Sequence, residues 1–275
     1  MVLPIPACTG LSRQTAARRK LASMTTTTAL ITGANKGIGF ATAQLLSQRG
    51  ITTLLGARDA ARGQQAERAL HEAGAGTARY LPLDVTDEKS AAQAAAWIDA
   101  EYGQLGILVN NAGITRREGA GPPSETTLAA LREVFETNVF GVVTVTNAML
   151  PLLRRAPAAR IVNVSSEVGS ISSMLNRDSP LWPMASVPYP ASKAALNMVT
   201  AMYAKELAGT PVKVNAANPG YCATDLNGHT GFRTAAQGAA VCVHLATLPA
   251  DGPTGQLWGH LWALGDAEQD GVLPW

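Results

Sequence analysis

The sequence predicts an α/β fold in which a mostly parallel sheet is covered by helices on both faces, a three-layer sandwich. Three observations point to it. Short apolar runs alternate with longer amphipathic stretches along most of the chain, the pattern of strands joined by helical crossovers. The first apolar run leads directly into a glycine-rich segment and then into a helical pattern. The chain of 275 residues is also 47% hydrophobic and only 15% charged, which is apolar enough for one substantial core.

The elements follow in order. Thr28 to Thr32 is the first strand, and the helix after it places Ile38, Ala41, Leu45 and Leu46 on one side. Gly50 ends that helix, Ile51 to Leu55 is the second strand, and the charged, alanine-rich stretch after Arg58 is the next helix. A third strand closes over Leu81 to Val85, before a helix around Ala91 to Tyr102. Ile107 to Val109 is a short buried strand, and helical patterns then span Thr127 to Leu153 with a bend or break. Ile161 to Val164 is the fifth strand, Pro190 to Leu207 a long helix, Val212 to Ala217 the sixth strand, and Thr234 to Leu248 a final helix. No repeat or second core interrupts the series, so residues 25–275 are expected to form a single domain.

Charge narrows the function classes. The formal net charge is +2, and Arg13, Arg18, Arg19 and Lys20 lie before Met24 with no acid among them, so the remainder stands near −2. A mildly acidic body carries no footprint for nucleic acid. No apolar run is long enough to cross a bilayer. Residues 1–24 read as a flexible extension, with a targeting peptide or a translation start at Met24 as alternatives. Cys8, Cys222 and Cys242 are odd in number and widely spaced, which suits neither a disulfide framework nor a zinc site. With His71, His229, His244 and His260 equally scattered, no metal is expected, and a reducing, cytoplasmic setting fits best.

The segment TGANKGIG, Thr32 to Gly39, sits at a strand-to-helix junction. Gly33, Gly37 and Gly39 let the turn tighten, a ligand approach, and the helix lie close to the sheet, while free N–H groups at the helix start can receive a pyrophosphate. This is the nucleotide-binding turn of a Rossmann-type fold, and Asn35 and Ile38 belong to it; the plain alternative is a structural turn. An NAD site usually places a carboxylate at the end of the second strand. Here Gly56, Ala57 and Arg58 stand there, with Asp59 one place later. Arg58 can make paired bonds to a 2′-phosphate, with Lys36 approaching from the other side, so NADP(H) is favoured over NAD. Otherwise both are solvated surface cations. Asp84 can accept from an adenine amino group beside Val85, or cap the following helix. Asn110, Asn111, Ala112 and Gly113 follow the fourth strand, their amides suited to tying strand ends together and their small residues to close approach of a cofactor.

Tyr189 and Lys193 are four apart and share one helix face. An ammonium beside a phenol is expected to lower its pKa, so that Tyr189 can give a proton to a carbonyl oxygen, or take one from an alcohol. Ser166, after the fifth strand, can bond the same oxygen, and Asn138 can hold a water next to Lys193. Singly, each has an ordinary structural explanation.

As an ordered set they do not. TGANKGIG, NNAG at Asn110–Gly113, Asn138, IVNVSS at Ile161–Ser166, YPASK at Tyr189–Lys193 and NPG at Asn218–Gly220 together resemble the short-chain dehydrogenase/reductase family, over roughly residues 28–259. The resemblance implies a seven-stranded Rossmann fold, a nicotinamide cofactor and a catalytic set of Asn138, Ser166, Tyr189 and Lys193, with Ser165 a weaker substitute for Ser166. It also implies that Pro219, Gly220 and Thr224 shape the nicotinamide site. The segments ARD at Ala57–Asp59 and NPGYCATDLNG at Asn218–Gly228 resemble carbonyl-reductase-type members, whose NADPH-binding cations match Lys36 and Arg58.

Ser166 and Tyr189 are 23 positions apart, more than the family's commonest spacing. The extra segment within 167–188 is expected to form a loop near the substrate entrance, with Met174, Leu175, Trp182 and Met184 either walling the pocket or packing the loop. Residues 221–235 are expected to contribute a substrate lid, and Gly255, Trp258, Trp262 and Trp275 to pack the last strand or close the pocket. The reaction expected is NADPH-dependent reduction of an aldehyde or ketone. Physiological oxidation of a secondary alcohol and a catalytically quiet NADP(H)-binding sensor or scaffold are the alternatives. The partner is a small carbonyl or alcohol, with monomer and homo-oligomer both open.

Overall fold

A computed structural model describes residues 27–116, 121–266 and 268–275. The basic segment at 1–24 and the alternative start at Met24 lie outside the described residues. The strands are β1 (Thr28–Thr32), β2 (Thr52–Ala57), β3 (Ala78–Pro82), β4 (Ile107–Asn110), β5 (Arg160–Val164), β6 (Lys213–Asn218), β7 (Leu257–His260) and β8 (Asp270–Leu273). They form one sheet in the order β3-β2-β1-β4-β5-β6-β7-β8. The first seven run parallel, as expected, and β8 adds an antiparallel edge against β7. The sheet therefore has eight strands, not seven. In β8 only Leu273 is buried, so its sequence carries too little alternation to declare a strand.

The helices are α1 (Gly37–Ser47), α2 (Ala60–Glu72), α3 (Glu88–Tyr102), α4 (Leu128–Phe135), α5 (Gly141–Leu153), α6 (Ile171–Leu175), α7 (Pro188–Glu206) and α8 (Ala235–Ala246). Side chains alternate along each strand, and this divides the core in two. Ala29, Ile31, Ile107, Val109, Val162 and Val164 pack on one face with α1, α2 and α8. Leu30, Leu54, Leu108, Ile161 and Val214 pack on the other with α3, α5 and the end of α7. Central strands buried on both faces explain why they read as continuous apolar runs.

Several boundaries moved by a few residues, and two features near the site have a physical cause. The third strand ends at Pro82, earlier than expected, because the Asp84 carboxylate accepts from the Thr86 N–H at 3.0 Å and turns the chain. The bend expected within 127–153 is a π-helical turn at Glu136–Phe140 that buries Asn138 and Val139 between α4 and α5. One extra residue per turn rotates the following face, and such bulges recur at functional sites.

Sheet order reverses between β1 and β4, so their C-terminal ends flank a crevice. The loops that carry the chemistry all open there.

Candidate active site

The turn after β1 holds Gly33 and Gly37 at φ of 63° and 58°, the left-handed region open to glycine at little cost. Lys36 begins α1 without a side-chain cap, and the first turn carries no acid. The leading N–H groups thus face the crevice as an anion site. Asn111 braces the turn: its amide donates to the Thr32 carbonyl at 2.8 Å, and the Thr32 hydroxyl accepts the Asn111 and Ala112 N–H groups at 2.9 Å each. A Cβ on Gly39 would lie 2.4 Å from that amide. Gly39 accordingly does not touch the crevice; it lets α1 close on the brace.

The crevice opens into a cleft of about 740 Å³ lined by every other residue predicted to bind cofactor. At one end stands Arg58, after β2, while Lys36 lines the cleft from the turn after β1. Asp59, next to Arg58, is turned into its own helix: Oδ1 accepts the Arg62 N–H at 3.0 Å as the N-cap of α2. Lys36 is engaged as well, its ammonium 2.7 Å from Asp225 Oδ2, and Asp225 also contacts His229 Nε2 at 2.9 Å. Asp84 binds the Thr86 N–H and hydroxyl through Oδ1. It does not cap α3, a position held by Asp87.

At the other end Ser166, Tyr189 and Lys193 line one wall. Ser166 faces the cleft, its Oγ accepting only a long bond from the Val168 N–H at 3.4 Å. Ser165 also borders the cleft, but it is buried and its hydroxyl donates to Asn197 Oδ1 at 2.6 Å. Lys193 Nζ lies 5.4 Å from the Tyr189 ring centroid and donates to the Val164 carbonyl at 2.7 Å. Asn138 meets the set across Gly113: a methyl group there would stand 3.4 Å from Asn138 Oδ1 and 3.7 Å from Lys193 Nζ. Its amide is committed, however, receiving the Ile114 N–H at 2.8 Å and donating to the Ile114 carbonyl and the Ser192 hydroxyl at 3.0 Å each. It braces the 113–115 loop against α7.

Comparison with known proteins identifies the family. The family profile described as short chain dehydrogenase matches residues 27–233. The chain belongs to the short-chain dehydrogenase/reductase family. A protein named short-chain dehydrogenase anuI from Penicillium roqueforti is 37% identical, with 88% of this chain and 95% of that one aligned. A (+)-neomenthol dehydrogenase from Capsicum annuum is 31% identical over 86% of this chain and 96% of its own. Among solved structures, an NADPH-bound carbonyl reductase from chicken fatty liver superposes with a TM-score of 0.76 at 28% identity, covering 91% of this chain and 99% of that one. Salutaridine reductase from Papaver somniferum gives 0.74 at 29%, over 84% and 99%. The family transfers hydride between a nicotinamide and a carbonyl or alcohol carbon.

Electrostatics in this short-chain dehydrogenase/reductase site differ from the simple expectation. Burial pushes the Tyr189 phenol up to about 12 and the Lys193 ammonium down to about 8. Desolvation by burial sets both shifts, so the phenol is held protonated rather than activated toward phenolate.

The long 167–188 segment divides between the two roles proposed for it. Leu181 and Met184 line the cleft. Met174 packs under it with Val168, Leu181 and Ala263, whereas Leu175 is exposed and Trp182 lies under the Arg177 guanidinium. Of the C-terminal tryptophans, Trp262 lines the cleft, Trp258 stacks on His244, and the Trp275 carbonyl accepts from Ser172. Within residues 221–235 Tyr221 packs on Phe232, and Phe232 packs in turn on Trp262 of the C-terminal turn. Sequence reasoning passed over Glu167, Tyr221 and Arg116 as cleft residues. Arg116 pairs with Glu133, and nothing near either marks them in sequence. Among the described residues no cluster suits a metal, and no helix is long and apolar enough to cross a membrane.

Proposed function

We propose that the protein reduces an aldehyde or ketone with NADPH, Tyr189 giving the proton that completes the alcohol. The observation that carries this reading is that Ser166, Tyr189 and Lys193 line the same cleft as Lys36 and as Arg58, which follows β2, with β1 and β4 lying between β2 and β5. NADPH bound there supplies the hydride. The glycine turn and the α1 N–H groups would hold its pyrophosphate, and Arg58, exposed and followed by an acid already used as a cap, would take the 2′-phosphate.

The chain's own groups then divide the remaining work. Ser166 Oγ donates to the carbonyl oxygen and holds it beside the phenol. Tyr189 keeps its proton across the physiological range because burial raises its pKa, which suits a donor. As negative charge grows on the substrate oxygen, the proton crosses from Tyr189, and the Lys193 ammonium stabilises the phenolate left behind. Asn138 keeps the 113–115 loop in register with α7. The reverse transfer uses the same atoms. Unbridged, buried Cys222 and Cys242 suit a reducing, cytoplasmic compartment.

Matched titration of the cofactor-free protein with NADPH and NADH, followed by nicotinamide fluorescence, tests the cofactor half. NADPH should bind about tenfold or more tightly, a difference of roughly 1.4 kcal/mol, and Arg58→Ala should remove most of that margin. Equal binding of the two in the unaltered protein would withdraw the assigned preference.

A further inference from the structure

Directly after Ser166 stands a buried acid that the proposed chemistry does not use. Glu167 is 3% exposed and opens the 3-10 turn Glu167–Gly169, which Ser166 caps. Its N–H donates to Asn218 Oδ1 at 3.0 Å, and its Oε2 accepts the Ala263 N–H at 3.0 Å. Ala263 lies in the C-terminal turn Trp262–Leu264, and its carbonyl accepts from Ser179 of the long loop at 3.0 Å. Trp262 in the same turn walls the cleft and packs on Phe232 of the lid, 5.4 Å between centroids. One carboxyl thus joins the serine loop to the segment that sets the far wall.

Burying an acid is costly, and an apolar side chain would fill the same space without that cost. The surroundings are nevertheless built for an anion. The Ala263 N–H and the Asn218 amide are both donors, and the Arg233 guanidinium of the lid adds an attractive charge. The remaining ionisable groups around this junction are Asp270, which is paired with Arg233 at 3.3 Å, His260 next to Gly220, and Tyr189 and Lys193 on α7. A protonated Glu167 would offer the Ala263 N–H only a neutral oxygen and lose its attraction to Arg233, and the tie would slacken. Burial raises the Glu167 pKa to about 7, so both states are reached under ordinary conditions.

We infer that Glu167 is a positioning residue: its carboxylate draws Trp262 onto the Ser166 loop, and substrate affinity follows its ionisation. For its kinetic readout the inference rests on the reductase reading of the cleft; for its structural readout it does not.

Amide hydrogen exchange at Ala263, corrected for intrinsic rates, is measured at pH 6 and pH 8 in the cofactor-free protein, alongside substrate KM and kcat. The tie predicts about tenfold greater Ala263 protection at the higher pH, and a KM several-fold lower with kcat little changed. Glu167→Gln, similar in shape but without a charge to lose, should flatten the Ala263 profile and abolish the KM change, leaving only the kinetic limb that belongs to Lys193. Glu167→Asp should restore a pH dependence with weaker protection. Protection that switches without turnover of any carbonyl would uphold the tie and refute the reductase reading. Identical pH profiles in the unaltered protein and Glu167→Gln would overturn the inference.

Discussion

At the residue scale the chemistry turns on two groups whose ionisation burial pulls apart. Lys193, lowered to about 8, is charged below that pH and loses its charge as pH rises through it. Tyr189, raised to about 12, stays protonated across the same range. The falling limb of carbonyl reduction therefore belongs to Lys193, and kcat/KM should drop about tenfold per pH unit above that limb. Lys193→Arg, which keeps its charge, should move the limb upward by well over a unit in a pH–rate profile, whatever it costs in rate. A limb unmoved by that change would assign it to another group. The serine, tyrosine and lysine were legible because their order and the helical spacing of Tyr189 and Lys193 are local facts. The preference for Ser166 over Ser165 came from the family resemblance, and the bond that occupies Ser165, to Asn197, 32 positions away, has no local signal.

At the scale of elements, close approach matters more than contact with ligand. The β1 turn, the start of α1 and the end of β4 are held by Thr32 and Asn111, and Gly39 leaves just enough room. In Gly39→Ala the new methyl would meet the Asn111 amide at 2.4 Å and the Gly33 carbonyl at 2.9 Å. Neither can retreat without breaking the brace, so a loss of about 1–3 kcal/mol is expected, measured by urea unfolding, together with weaker cofactor binding. Unchanged stability would show that the turn relaxes freely. The strand–turn–helix unit was legible from its glycines and the apolar run before it. Engagement of Lys36 by Asp225 was not, because the pair is separated by 189 positions and no local pattern joins them. Element ends shifted by a few residues where a side chain, such as Asp84, redirected the backbone.

Across the whole molecule, alternating apolar runs and helices sufficed for a doubly wound sheet, since each buried strand and amphipathic helix announces itself. The β8 edge was missed because an exposed strand needs no apolar pattern. The wall of the cleft was only half legible: apolar residues of the 167–188 segment look alike in sequence, yet Met184 reaches the cleft while Leu175 faces away from the core. Trp262 was named as a candidate to close the pocket, but Glu167 and its tie to the Trp262 turn escaped notice because the 3.0 Å bond that joins their segments spans 96 positions. The account as a whole stands on proton transfer from Tyr189, which one substitution isolates. Tyr189→Phe removes a single hydroxyl from the cleft wall, so NADPH binding by fluorescence titration should persist while NADPH oxidation with a carbonyl substrate falls by about 10²-fold or more. Turnover at the unaltered rate would contradict the assignment of Tyr189 as the proton donor.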